Sequence, residues 1–215
     1  MVYCNCRLID ENGVVLKENY FKYKSMPLIK KKNKLSISRC VGIGCSQIIT
    51  KEVKEKMLPF KDEVIAHDWL AAFIASEGKG IRFIKEPLFD YRQHNTNVFG
   101  GRNLKQNIKR WKKENGKGYK SFVNYRKDVI TRAYSDGIKM CKQYATDEQD
   151  KKFIEKAEKY YETILGNKII YFNVDTYFKI LGGKNQRKRR LKEIMLFHFP
   201  LLAYIKFAVV RVGKK

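Results

Sequence analysis

At Gly100-Gly101 the hydrophobic pattern of this chain changes period, and that change limits what it can fold into. Ahead of it, short apolar runs alternate with turn signals. Val2-Tyr3-Cys4-Asn5-Cys6-Arg7-Leu8-Ile9 reads as a strand ending at the turn Asp10-Glu11-Asn12-Gly13, with Val14-Val15-Leu16 returning. After a basic loop at 30–34, Gly42-Ile43-Gly44-Cys45 breaks the chain before Ser46-Gln47-Ile48-Ile49, which reads as a buried strand. Thr50 is placed to cap a helix over 51–57 that Pro59 stops. The run from Ala66 to Ser76 has the Ala content and apolar spacing of a helix ending near Gly78. Ile81-Arg82-Phe83-Ile84 and Leu88-Phe89-Asp90-Tyr91-Arg92 read as two strands around Glu86-Pro87. Beyond Gly101 the alternation stops: from 103 to 165 apolar residues recur at helical spacing in a Lys-rich background. The expected class is α/β for residues 1–100, followed by a helical extension over 101–186 and a C-terminal helix over 187–215.

At 215 residues, 44% of them hydrophobic and 13% aromatic, the chain can bury a core. Its charge is the unusual quantity. Residues 1–100 carry 17 basic and 11 acidic side chains, whereas residues 101–215 carry 29 and 11, which places +18 of the total +24 in the second half. Such an excess suits an anionic partner: nucleic acid, an acidic membrane leaflet or phosphorylated substrates. A heavily solvated basic surface is the plainer reading.

The five cysteines, at 4, 6, 40, 45 and 141, form no regular framework. Cys4 and Cys6 would share one face of a strand rather than sit on the knuckles of a zinc site, so core or packing thiols are expected. Met1 leads directly into a strand-like run without a signal peptide, so a reducing cytosol is the expected compartment.

The end of the chain is distinctive. Arg187-Lys188-Arg189-Arg190 introduces Met195-Leu196-Phe197-His198-Phe199-Pro200-Leu201-Leu202-Ala203-Tyr204-Ile205, and Lys206 precedes Phe207-Ala208-Val209-Val210. This run is about half of the ~20 residues a spanning helix needs. The segment 187–212 reads as an interfacial helix with basic flanks, or as a helix packed on the domain's own core.

Three segments in order resemble the C-terminal half of family 2 glycosyltransferases of GT-A (Rossmann-like) fold, especially bacterial rhamnosyltransferase-like members. They are Val2 to Gly13; Gly44-Cys45-Ser46 leading into Lys54-Glu55-Lys56-Met57-Leu58-Pro59-Phe60; and His67-Asp68-Trp69, Ile81 to Leu88, then Tyr91-Arg92-Gln93-His94 with Asn97, Val98 and Gly100. The resemblance covers residues 1–100, and the Lys-rich tail is only similar in character to tails in that family. It implies an inverting transfer from a nucleotide sugar to a saccharide or polyprenyl-linked acceptor, in cell-envelope polysaccharide synthesis at the inner face of the membrane.

Residue by residue, the resemblance makes Asp68 the base that takes the acceptor's proton, with His67 orienting it or lining the cleft. Arg92, Gln93 and His94 fall in the segment that approaches the diphosphate, and His94 is a candidate metal ligand. Gly44 and Cys45 would form part of the acceptor wall. Trp69 is either core or a sugar-stacking platform. The family's Mg²⁺ or Mn²⁺ is implied too, but its acidic ligand motif is missing, because the chain contains no Asp-x-Asp. The nucleotide-binding half is therefore expected outside this sequence, which reads as a fragment, as a split gene product, or as a chain to which a partner supplies that half. Two other classes fit parts of the sequence: an acceptor-binding remnant without catalysis, and a nucleic-acid binder using residues 105–120 with Trp111 and Tyr119 interleaved.

Overall fold

The computed structural model describes residues 1–24, 26, 37, 40–61, 64, 66–94, 104–166 and 187–210; the basic loop at 30–34, Asn97 to Gly100 and residues 211–215 lie outside them. The protein is mixed α/β. Strand β1 (Val2–Ile9) is the hub of a four-stranded sheet. Its Tyr3, Cys6, Leu8 and Ile9 are all buried, as expected of a strand covered on both faces. After the turn at Asp10, whose carboxylate accepts the amides of Asn12 and Val14, β2 (Val15–Lys17) returns antiparallel along the end of β1. Gly13 sits at φ 87°, a conformation open to glycine. Helix α1 (Tyr20–Lys24) buries Tyr20 and Phe21 against the sheet.

Strand β3 (Gln47–Ile48) pairs antiparallel with the start of β1. The buried strand expected over 46–49 is thus only two residues long, and Ile48 is 76% exposed because nothing packs over its outer face. Helix α2 (Lys51–Met57) begins as expected at Thr50, whose hydroxyl accepts the Val53 amide, and ends ahead of a cis Leu58-Pro59 bond. Helix α3 (His67–Glu77) buries every residue from Trp69 to Ser76 and is the axis of the core. Its C-terminus turns through Gly78 and Gly80 into β4 (Arg82–Arg92), which runs parallel to β1.

The two strands expected around Glu86-Pro87 are one continuous strand. Eleven residues of β4 run beside eight of β1, and register shifts opposite Cys4, Asn5 and Arg7 absorb the excess. Pro87 is tolerated because it sits within that irregularity, where a ladder bond is already lost.

The second half is helical, as its periodicity predicts. Helix α4 (Leu104–Asn115) leads to α5 (Tyr119–Ile130), and a π turn at Thr131–Ser135 joins α5 to α6 (Asp136–Tyr144). Helix α7 (Glu148–Leu165) is capped by Asp147, whose carboxylate accepts the Gln149 and Asp150 amides. Helices α8 (Arg187–His198) and α9 (Pro200–Ala208) close the described chain. Two apolar cores result. The larger is continuous across residue 100, joining β1, α1, α2 and α3 to α6, α7 and Phe197. The smaller joins Ile108, Phe122 and Tyr125 to Ala203 and Phe207. Among the described residues no helix is long and apolar enough to cross a membrane.

Candidate functional site

The first turn of α3 carries His67, Asp68 and Trp69, and the short helical turn Gly44–Ser46 lies against it. That turn is closed by Ser46, whose hydroxyl donates to the Ile43 carbonyl at 2.8 Å. Gly44 is required by the contact that follows: a Cβ there would stand 2.6 Å from His67 Nε2. Gln47 completes the junction by donating from Nε2 to the Asp68 carbonyl at 3.2 Å. Gly44, Cys45, His67 and Asp68, singled out separately in the sequence, therefore meet at one place.

Asp68 is half-buried. Its Oδ1 accepts the backbone amide of Trp69 at 2.9 Å, and no described residue bonds to Oδ2. One carboxylate oxygen is thus held by the helix start, and the other faces away from that bond. Cys45 lies close by. Partial burial of its thiol, followed by the nearby Cys4 and Asp68, raises its pKa above the ordinary range. Burial, then Cys45, Cys4 and Asp90, push Cys6 up to about 12. Burial likewise raises Cys4. These side chains stay neutral thiols at physiological pH, poor nucleophiles and poor metal ligands. Tyr91 extends the same surface: burial first, then Cys45 and Cys6, raise its phenol, and its ring meets Tyr20 edge-on at 6.0 Å. Tyr91 opens the Tyr91-Arg92-Gln93-His94 segment of the resemblance without a role of its own, and nothing in the sequence singles out Tyr20.

Trp69 belongs to the core. It is 4% exposed, and a Cβ added to Gly137 would come 1.9 Å from its ring, so the indole lies flush against α6. A sugar-stacking role is excluded by that burial. The cysteine expectation holds for Cys6 and Cys141, both buried, while Cys45 is exposed; none of the five forms a disulfide.

Arg92 ends β4 opposite Ile9 of β1, and Gln93 and His94 follow it. The Arg92 guanidinium donates from Nη1 to the Glu11 carbonyl at 2.6 Å and the Asp10 carbonyl at 3.3 Å, clamping the β1–β2 turn. The Gln93 amide continues the sheet by donating to the Ile9 carbonyl at 2.8 Å. Both thus have structural work, which the motif did not reveal. His94 is exposed. Among the described residues no group of three or more His, Cys, Asp or Glu side chains could hold a metal ion. His94 by itself offers one imidazole nitrogen, whereas a Mg²⁺ or Mn²⁺ site takes several oxygen ligands. A small recess lined by Thr50, Val53, Ala75 and Gly80 lies at the opposite end of α3 and is no part of this site.

Of the aromatics of the basic segment, Trp111 packs against the smaller core: its Nε1 donates to Ser121 and its ring lies 5.5 Å from Tyr125. Tyr119 meets Tyr204 edge-on at 5.3 Å and is 47% exposed.

Comparison with known proteins finds no matching family model, no similar curated protein and no solved structure of similar fold.

Proposed function

We propose that this chain is the acceptor-side part of an inverting, family-2-type glycosyltransferase of GT-A fold. The observation that carries the reading is the Asp68 carboxylate: anchored through Oδ1 at a helix start, open at Oδ2, and bordered by Gly44, Cys45 and His67. A saccharide hydroxyl brought up to Asp68 Oδ2 would attack the anomeric carbon of the donor. The new bond forms to the acceptor oxygen as the bond to the nucleoside diphosphate breaks, and the hydroxyl proton passes to Asp68 Oδ2. A base in that position contributes about 100- to 10,000-fold. His67 borders the carboxylate and would position the acceptor. Donor binding would fall to a nucleotide-binding half with its acidic metal motif, outside these 215 residues. The sugar would go to a saccharide or polyprenyl-linked acceptor of the cell envelope.

The test is transfer of labelled sugar from a panel of nucleotide sugars, in extracts of cells expressing the chain. Acceptor oligosaccharide contact is read in parallel by saturation-transfer NMR on the purified protein. Asp68→Asn should cut transfer at least 100-fold and leave saccharide contact unchanged. Saccharide contact without transfer in the native chain would favour the second reading, an acceptor-binding remnant, to which the clamped Arg92 also points. If neither saccharide contact nor transfer is seen, both readings fall.

A further inference from the structure

Helix α9 (Pro200–Ala208) is apolar on two opposite sides. Ala203 and Phe207 are buried against Ile108, Phe122 and Tyr125. At 100° per residue, Leu201, Leu202, Ile205 and Val209 fall within an arc of about 100° on the other side. They are 68%, 54%, 58% and 69% exposed, and Phe199 at the N-cap is 51% exposed. Lone exposed leucines are ordinary, but a contiguous stripe of this kind marks an interaction surface.

Charge identifies the occupant. Residues 104–130 and 187–210, which form this end of the molecule, hold 15 basic side chains against 3 acidic ones, and no Asp or Glu occurs between 194 and 210. Lys206 rims the stripe, and Lys105, Lys109, Arg110 and Lys113 are exposed on α4, which packs into the same core. Tyr119 and Tyr204, in edge contact, flank the helix with amphipathic rings suited to a headgroup region. A second copy of a +24 chain would be repelled, and nucleic acid offers nothing to an aliphatic stripe. We infer that the outer face of α9 inserts in-plane into an anionic lipid surface, with Lys206 and the exposed basic residues of α4 meeting the headgroups. Nine residues at 1.5 Å give about 14 Å, too short to span, so the helix lies in the interface. This inference does not rest on Asp68 or on the transferase reading.

Co-sedimentation with vesicles of 30 mol% phosphatidylglycerol in phosphatidylcholine, against pure phosphatidylcholine, tests it on the full chain. Native protein should partition at least tenfold better into the anionic vesicles, and 0.5 M NaCl should weaken binding at least fivefold. The double variant Leu201→Ser/Ile205→Ser should lose at least tenfold while keeping the native circular dichroism spectrum. Ile48→Ser, an exposed apolar residue on β3, should bind like the native chain. Unchanged binding by the double variant, or absence of binding by the native chain, overturns the inference. So does light scattering that shows a native dimer turned into a monomer by the double variant, which would make the stripe a contact between copies.

Discussion

Asn5 shows how one polar side chain holds the irregular pairing of β1 with β4. It is 1% exposed. Its Nδ2 donates to the Lys85 carbonyl at 3.1 Å, and its Oδ1 accepts the Phe21 amide at 3.2 Å. Lys85 lies where β4 slips out of register ahead of Pro87, so the side chain replaces a ladder bond that the slip removes. Asn5→Leu keeps the branched shape and leaves the buried Phe21 amide and the half-buried Lys85 carbonyl without this partner. Each such group costs about 1–3 kcal/mol, so the variant should lose about 3 kcal/mol, read as a lower urea midpoint at unchanged slope. A loss below ~0.5 kcal/mol would mean that water takes over both bonds. Trp69 makes a related point about legibility. Its neighbours in sequence left core and platform both open, and only the approach of Gly137, 68 positions away, decides for core.

Helices were legible wherever capping chemistry and period agreed. Thr50 starts α2 and Gly78 ends α3 because both signals are local. The strands were less so. Nothing near Pro87 announces that β1 will accept β4 across a slip, and nothing near Ile48 announces that its outer face stays bare. Of the site, Asp68 in a first turn could be read directly, whereas the packing of Gly44 on His67 joins segments 23 residues apart. Helix α8 adds a titration that no local rule supplies. His198 ends that helix, where the backbone dipole ordinarily favours a charged imidazole. Burial and then the nearby Arg126 instead depress its pKa, and it shares a hydrogen bond of 2.8 Å with the Tyr160 hydroxyl. Above the unfolded value of about 6.5 both states are neutral and this contribution is constant. As pH falls through 6.5 the unfolded chain takes up the proton first, so stability declines until the lower folded pKa is passed. The melting temperature should drop between pH 7 and pH 5, and His198→Gln should lessen that drop. Equal drops in both proteins would assign the effect to other groups.

At the scale of the whole molecule, two cores are tied together by buried cations. Arg126, 5% exposed on α5, donates from Nε to the Leu196 carbonyl and from Nη2 to the Phe197 carbonyl, both at 2.8 Å, and from Nη2 to the Ile164 carbonyl at 3.4 Å. It therefore holds the C-terminal ends of α7 and α8 at once. Lys112, 6% exposed on α4, does the same for α9 through the Ala208 and Val210 carbonyls, with its ammonium 4.6 Å from the Phe207 ring centroid. Cations at helix C-termini are favoured by the dipole, and these two replace the water that the last carbonyls would otherwise need. Among the described residues the smaller core contains five buried apolar side chains, so the α8–α9 arm depends on these cations more than the sheet does. Arg126→Gln should therefore speed amide exchange over residues 187–210 at least tenfold, while β1 and α3 keep their protection. Lys112→Met should loosen α9 alone, leaving α8 protected by Arg126. If Arg126→Gln instead accelerates β1, α3 and α9 by one common factor, the two cores unfold as a single cooperative unit, and the arm that carries the lipid-facing stripe has no independence from the body that carries Asp68.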